Sequence, residues 1–417
     1  MSIFKGASPL PRELTAIDWI LFLAILPILA AGLATMYAFG AEGQGCPGLS
    51  ERILSEIPED AHTAQAVSCP SSETTDENVL FSRQLAWIAV SFALFFGASF
   101  VDWRFLRRSG VLFSLFLLVI GVLLLLFSAG KIIKGTQSWF DFGAFSLQPV
   151  ELAKLVLVLI LAKYFSRRHI EIAHVRHMLV SGFYALVFFF LVLLQPDFGG
   201  ALVILLIWFG MLLVSGISKK HILAVALLGV FALAFLWTFV FEEYQKQRVL
   251  TFLHPLADLR GSGYNADQST IAVGSGGLAG KGLGYGTQSR LRFLPEYQTD
   301  FVFAAFAEEW GFIGVFILFG LYGALLWRVL VNAMHGRSNF EILYGLGLAV
   351  FIMGHFVIHV GMNLGLLPVT GLSMPFMSYG GTHLATLFLG LGILMGMRRY
   401  RRAAHTEVVQ SELIGVP

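Results

Sequence analysis

The chain sets long apolar blocks against short polar ones. Runs of about 20 apolar residues, the length that crosses a hydrocarbon core of roughly 30 Å, fall at 17–40, 84–101, 110–129, 149–165, 178–195, 199–217, 222–241, 301–328, 340–362 and 380–397. A strand-built pore would instead show short segments of strict apolar–polar alternation. Lipid satisfies no backbone groups, so each run reads as a helix. The pattern predicts an all-α polytopic membrane protein of about ten transmembrane helices, a single transmembrane domain over 1–417. It leaves a polar loop at 41–82, expected to be flexible, a large loop at 242–300 between helices seven and eight, and a polar tail at 398–417. A cleavable signal peptide is not expected, because the apolar run after Lys5 and Arg12 is too long for one.

Lys and Arg set the orientation. With the N-terminus inside, Lys5 and Arg12 share one side with Arg104, Arg107 and Arg108, with Arg167, Arg168 and Arg176, and with Lys219 and Lys220. Arg328, Arg337 and the tail residues Arg398, Arg399, Arg401 and Arg402 join them. Most basic residues left for the other side, including Lys281, Arg290 and Arg292, sit in the 242–300 loop, and long loops cross regardless of charge. Both termini are therefore expected to be cytoplasmic and the large loop extracytoplasmic.

Composition agrees. Of 417 residues 57% are hydrophobic and 13% charged, against about 25% charged in soluble domains. That excludes a soluble enzyme, a disordered chain and a disulfide scaffold. A net charge of +2 without a dense basic block gives no reason to expect nucleic acid. Cys46 and Cys69 share the 41–82 loop, where a disulfide and two free thiols are both open readings. His355 and His359 lie one turn apart on one helix face, as a ligand pair or as polar glue between helices.

Polar residues in or beside apolar spans are costly and mark function. Three stretches stand out, all opening to the outer side. The first carries Trp139 and continues to Gln148, Pro149, Glu151 and Lys154. Pro149 suits a first helical turn, and Glu151 and Lys154, three apart, share a face as a charged pair lining a polar cavity or as a structural ion pair. The second is the 242–300 loop, with glycines at 274, 276, 277, 280, 282, 284 and 286. It is no P-loop, because Gly282 follows Lys281 where Ser or Thr belongs and Ser275 replaces the first glycine. The glycines allow tightly turned backbone close to a ligand or to the membrane surface. Gln288, Arg290, Arg292, Glu296, Thr299 and Asp300 follow, with Asp300 where the next helix begins, placed to cap it or to do chemistry. The third, 361–381, is dense in Gly and Pro and includes Ser378, which predicts a re-entrant or broken segment surrounded by protein or a polar cavity.

These stretches, in this order, resemble the SEDS family (shape, elongation, division and sporulation). The match rests on Trp139, Gln148-Pro-x-Glu151-x-x-Lys154, Gln195-Pro-Asp197-Phe-Gly199 and Gly274-Ser-Gly-Gly-Leu-x-Gly-Lys281-Gly. Gly286-Thr-Gln-Ser289, Phe293-Leu-Pro-Glu296-x-x-Thr-Asp300-Phe, Pro368-Val-Thr-Gly371 and Ser378-Tyr-Gly-Gly381 complete it. Phe252-Leu-His-Pro255 is more like the RodA-like elongation branch than the FtsW-like division branch. The chain departs from the family pattern at Ser138, Val150 and Gln298, where Arg, Ser and His are usual.

The resemblance implies a multi-pass protein of the bacterial cytoplasmic (inner) membrane that polymerises the undecaprenyl-linked substrate lipid II. It works beside a class B penicillin-binding protein. Asp300 takes the family's catalytic acid position. Glu151 and Lys154 take its cavity pair. Gln148, Trp139, Lys281, Gln288, Arg290, Arg292, Glu296, Thr299 and Ser378 are the further substrate-binding candidates. A sugar hydroxyl needs a positioned base, and the departing pyrophosphate needs Lys, Arg or a divalent cation, Mg or Mn. No organic cofactor is expected. Two other readings fit the same composition, a lipid II flippase and a non-catalytic scaffold of a wall-building complex.

Overall fold

A computed structural model describes residues 17–42, 74–133, 136–143, 145–167, 175–216, 219–239, 246, 250, 252, 262–291, 293–294 and 296–414. Cys46, Cys69 and Arg292 lie outside the described residues.

Each apolar run falls on a helix. These are α1 (Trp19–Glu42), α2 (Thr74–Phe100), α3 (Ser109–Ala129), α4 (Pro149–Ser166), α5 (Val175–Leu193), α6 (Phe198–Val214) and α7 (Lys219–Phe239). Two shorter helices follow, α8 (Ser262–Ser275) and α9 (Thr287–Arg290), then α10 (Val302–Met334), α11 (Asn339–Asn363) and α12 (Gly381–Ile414). Six segments are long and apolar enough on their own to cross a membrane, within α1, α2, α3, α5, α10 and α11. The charged residues Glu151, Lys154 and Lys163 make α4 less apolar, and α6 is a shorter apolar helix of 17 residues. The protein is a polytopic α-helical membrane protein.

Hydropathy located the helices but not their ends, because polar residues continue a helix beyond the apolar core. Thr74–Phe100 thus takes up the end of the loop expected at 41–82, and α12 carries the tail through Ile414. The 242–300 loop holds α8 and α9. A small antiparallel sheet, β1 (Lys131–Ile133), β2 (Thr136–Asp141) and β3 (Ser146–Leu147), joins α3 to α4 and is an addition to the all-helical expectation.

α4 and α11 form the centre. Almost every α4 side chain is buried, including Glu151 and Lys154, and the helix packs on α3, α6 and α11. α2 lies along α12, and α1 along α10. The outer faces carry exposed Leu, Phe and Ile such as Leu117, Phe231 and Phe316, as a lipid-facing surface requires.

One end of the bundle collects the basic residues that the charge pattern placed inside. The Asp18 carboxylate caps α1 by accepting from the Ile20 and Leu21 N–H groups. It also pairs with Arg328 at 2.7 Å and Arg398 at 3.4 Å, and accepts from Asn332 at 2.7 Å. Burial pushes the Asp18 carboxyl up, but the hydrogen bonds from Asn332, Arg328 and Leu21 outweigh it and hold it below the usual range. Arg107 pairs with Glu341 at the same end.

Candidate functional site

The opposite end of the bundle gathers the starts of α4, α6, α10 and α12, the end of α11 and the irregular segment 364–380. Pro149 opens α4 at its first turn, where a missing N–H costs nothing. Asp197 caps α6 through the Gly200 N–H at 2.7 Å and accepts from Gln148 Nε2 at 3.4 Å. The Gln148 N–H donates to Thr382 Oγ1 at 3.2 Å, which ties α12 to the head of α4. Trp139 stands half-buried on β2 nearby in sequence.

The 364–380 segment is non-helical, as its Gly and Pro predict, and protein buries most of its stretch from Leu372 to Ser378. Its carbonyls meet both histidines of α11: His359 Nδ1 lies 2.7 Å from Leu372 O, and His355 Nδ1 lies 3.3 Å from Ser373 O. A Cβ on Gly199 would come within 2.6 Å of Thr370 O, so the segment lies directly on the head of α6.

Asp300 sits on the other side of this segment. A Cβ on Gly371 would lie 3.6 Å from Asp300 Oδ2. Three contacts fix the loop around Asp300. Ser378 Oγ donates to Thr299 O at 2.8 Å, and the Tyr379 N–H donates to Gln298 O at 2.8 Å. Asn363 Nδ2 donates to Asp300 O at 3.0 Å, while Asn363 Oδ1 accepts from the Ala304 N–H at 3.2 Å. Asp300 is half-buried, so it is held yet reachable. It is not the helix cap: α10 begins at Val302, and its cap position is Phe301, without a side-chain bond. Glu296, exposed and at φ 55°, turns the chain four residues before Asp300 and accepts from Thr299 Oγ1 at 3.1 Å.

Glu151 and Lys154 form the expected pair at 2.7 Å, but both are buried, 4% and 1% exposed. They stand behind the site rather than in the wall of an open cavity. The neighbours explain how two charges survive there. His383 Nδ1 lies 2.7 Å from Glu151 Oε2, and Lys154 Nζ lies 3.2 Å from His355 Nε2. The two imidazole rings lean together at 4.4 Å between centroids. Glu151, His355 and His383 offer ligand atoms within 4.8 Å of one another, the arrangement of a metal site. The set does not fit one. The Lys154 ammonium already touches both Glu151 and His355, and a second cation beside it would be repelled at low dielectric.

The glycine-rich loop has a partner that the sequence did not disclose. Helix α10 breaks at Gly311, φ 63°, and the loop pairs its backbone with the broken turn. The Lys281 and Gly282 N–H groups donate to the Glu308 and Glu309 carbonyls at 3.0 Å, and the Phe312 N–H donates to Gly277 O at 2.9 Å. A Cβ at Gly280, φ 81°, would lie 2.0 Å from Glu309 O, so glycine is required there. The fully buried Glu308 carboxylate then organises the loop. It pairs with Lys281 at 2.8 Å and accepts from Thr287 Oγ1 at 3.0 Å and from the Gln288 N–H at 3.1 Å. Lys281 is thereby neutralised and also donates to Thr287, which removes it from the free phosphate cations. Gln288 contributes backbone to this knot. Ser378 is buried and serves the Asp300 loop. Arg290 is exposed on α9.

Sequence reasoning missed His383 and the Glu308–Glu309 pair. The signal existed: ionisable residues inside apolar runs are expensive and call for a partner.

A family model described as a cell cycle protein, covering FtsW, RodA and SpoVE, matches residues 62–403. Peptidoglycan glycosyltransferase MrdB of Escherichia coli K12 is 39% identical over 299 residues, 70% of this chain and 79% of its own. Stage V sporulation protein E of Bacillus subtilis 168 is 35% identical over 335 residues, 78% of this chain and 89% of its own. A solved peptidoglycan synthase complex, described as coordinating polymerisation and crosslinking, contains a chain that superposes with a TM-score of 0.70 at 31% identity. That match covers 92% of this chain and 98% of the other. The crystal structure of the rod shape-determining protein RodA of Thermus thermophilus matches at TM-score 0.63 and 30% identity, over 92% of this chain and 97% of its own. The motifs, the helices that carry them and these matches agree, and the chain belongs to the FtsW, RodA and SpoVE family of cell cycle proteins, the SEDS family.

Proposed function

We propose that this protein is a peptidoglycan glycosyltransferase that polymerises lipid II at the outer face of the bacterial cytoplasmic membrane, for cell elongation and shape. The observation that carries the reading is the seat of Asp300, a half-buried carboxylate against Gly371 in a loop fixed by Asn363, Ser378 and Tyr379. A sugar hydroxyl attacks only as its proton leaves. A fixed carboxylate within reach supplies about 10²–10⁴-fold. Asp300 takes the proton of one unit's GlcNAc 4-hydroxyl as that oxygen bonds to the anomeric carbon of the other. The bond from that carbon to the pyrophosphate oxygen breaks, and undecaprenyl pyrophosphate leaves with the electron pair.

The leaving charge needs a cation outside the protein core. Arg290, exposed on α9, takes that role in this proposal, with Arg292 two residues on. Lys154 does not touch pyrophosphate in this arrangement; with Glu151, His355 and His383 it holds the head of α4 against α11 and α12. Trp139, Gln148, Glu296 and Thr299 are the further substrate contacts in this proposal. A divalent cation, Mg or Mn, would stabilise pyrophosphate when bound, but the Glu151–His355–His383 set, with Lys154 against it, is not its holder. A class B penicillin-binding protein is the partner proposed, in keeping with the synthase complex that the chain resembles.

Purified protein with its partner, given lipid II in detergent, tests the reading. Wild type should build glycan, and Asp300→Asn should lose at least about 10²-fold in kcat while still folding and binding the partner. Wild-type polymerisation by Asp300→Asn would remove Asp300 from catalysis. An inactive wild type that instead moves labelled lipid II across liposomes would favour the flippase reading.

A further inference from the structure

The end of the bundle opposite Asp300 holds a second built region that the polymerisation chemistry does not use. Helix α4 ends there with Lys163, Ser166 and Arg167; the turn before α3 brings Arg107; the α10–α11 turn brings Arg337 and Ser338. Two cavities meet at Lys163. One, about 340 Å³, is polar and basic, lined by Arg107, Lys163, Ser166, Arg337 and Ser338 among others. The other, about 300 Å³, runs between α3, α4 and α5 along Leu112, Phe113, Phe116, Ile160 and Val180, with Lys163 and Arg167 at its basic end. Phe113 is exposed, so this apolar arm opens sideways onto the lipid-facing surface.

The charges do not balance. Among the described residues Glu341 is the carboxylate bonded within the group, while Asp102, which also feels the Arg107 charge, is paired with Arg104. Glu341 is taken by Arg107 and by the Arg337 N–H at 2.8 Å. Among the described residues Lys163 makes no ion pair; it lies 6.0 Å from the Phe340 ring centroid. Among the described residues Arg107, Lys163, Arg167 and Arg337 thus face one directly bonded carboxylate, Glu341, at the membrane edge that the charge pattern places inside.

We propose that this region binds an anionic phospholipid of the inner leaflet, with the headgroup phosphate on Lys163, Arg167 and Arg337 and an acyl chain in the apolar arm. Basic pockets between helices on this side of a membrane attract anionic headgroups, each cation adding about fivefold in affinity. The apolar arm decides between sources of phosphate. A soluble phosphate would fill the basic cavity alone. The joined, laterally open apolar cavity, at the small end of the roughly 300–1,000 Å³ of ligand pockets, fits a chain entering from the bilayer.

The test is native mass spectrometry of the full chain in detergent with equal amounts of phosphatidylglycerol and phosphatidylcholine, both palmitoyl-oleoyl. Wild type should retain phosphatidylglycerol at least tenfold over phosphatidylcholine. Lys163→Gln combined with Arg337→Gln should cut that retention about 25-fold and leave lipid II polymerisation in lipid-free detergent unchanged. Val180→Trp, which fills the apolar arm without changing charge, should also cut it, whereas Lys163→Arg should keep it. These last two variants decide the matter even if the double variant fails to fold. Equal retention of the two lipids, wild-type retention by Val180→Trp, or displacement of phosphatidylglycerol by equimolar inorganic phosphate would each overturn the proposal.

Discussion

Replacing Gly280 by Ala asks whether the glycine run is a scaffold or a ligand cradle. The new Cβ would sit 2.0 Å from Glu309 O and 2.7 Å from Gly311 N, both backbone atoms that no rotamer change can move. Relief needs the loop and the broken helix to part by at least about 1 Å. At that separation the bonds from Lys281, Gly282, Phe312 and Ile313, now 2.9–3.1 Å, are lost. Four such bonds at about 1 kcal/mol each, with about 1–2 kcal/mol for Ala at φ 81°, give a cost on the order of 5 kcal/mol. Gly274, in the same motif, meets nothing within 4 Å, and Ala there should cost nothing or stabilise slightly. The assay is amide exchange over 277–290 and 308–313, with the thermal midpoint and lipid II polymerisation measured on the same samples. Gly280→Ala should lose protection, midpoint and activity together, and Gly274→Ala none of them. A Gly280→Ala protein with wild-type protection and midpoint but no activity would refute the scaffold argument and return the loop to ligand binding.

Asn363→Ala removes the side chain that fixes both Asp300 O and the Ala304 N–H, so kcat should fall about 10–100-fold at unchanged KM for lipid II; an unchanged kcat would show that the Asp300 loop needs no such support. Lys154→Gln takes the ammonium partner from buried Glu151 and leaves it the His383 contact alone, and a loss of about 3–5 kcal/mol should appear as poor folded yield rather than weak substrate binding. Folded yield and thermal midpoint check this; a well-folded variant with only a raised KM would place Lys154 in the substrate cavity after all. Asp18 ionises more readily folded than unfolded, so its contribution to stability is complete above about pH 4 and fades as pH falls through its lowered value. Thermal midpoints at pH 5 and pH 3 should therefore differ more in wild type than in Asp18→Asn.

The sequence disclosed what depends on local pattern. Apolar runs fixed the helices, glycine and proline marked the irregular 364–380 segment, and the spacing of Glu151 and Lys154 put them on one face. Partners far apart along the chain stayed hidden. His383 meets Glu151 across 232 positions, and Asp18 meets Arg328 across 310. Spacing carries no signal for such pairs. Burial was the other blind spot. Glu151 and Lys154 read as cavity residues because charge in a span suggests access to polar ligand, yet two histidines satisfy them in the packed core. The glycine run showed that backbone comes close, but not that the neighbour is α10 broken at Gly311.

The knot around Asp18 also bears on the order in which the protein is assembled. Arg328 follows Asp18 by 310 residues, so at about 5–20 residues per second the ribosome delivers the first partner roughly 15–60 s after the acid itself. Arg398 comes later still and sits on the last helix. Through that interval α1 carries a carboxylate whose native side-chain partners have not been made. The clasp closes only after α10 and α12 have been made, so a chain stalled before α10 keeps α1 unlatched, in a state that quality-control proteases can recognise.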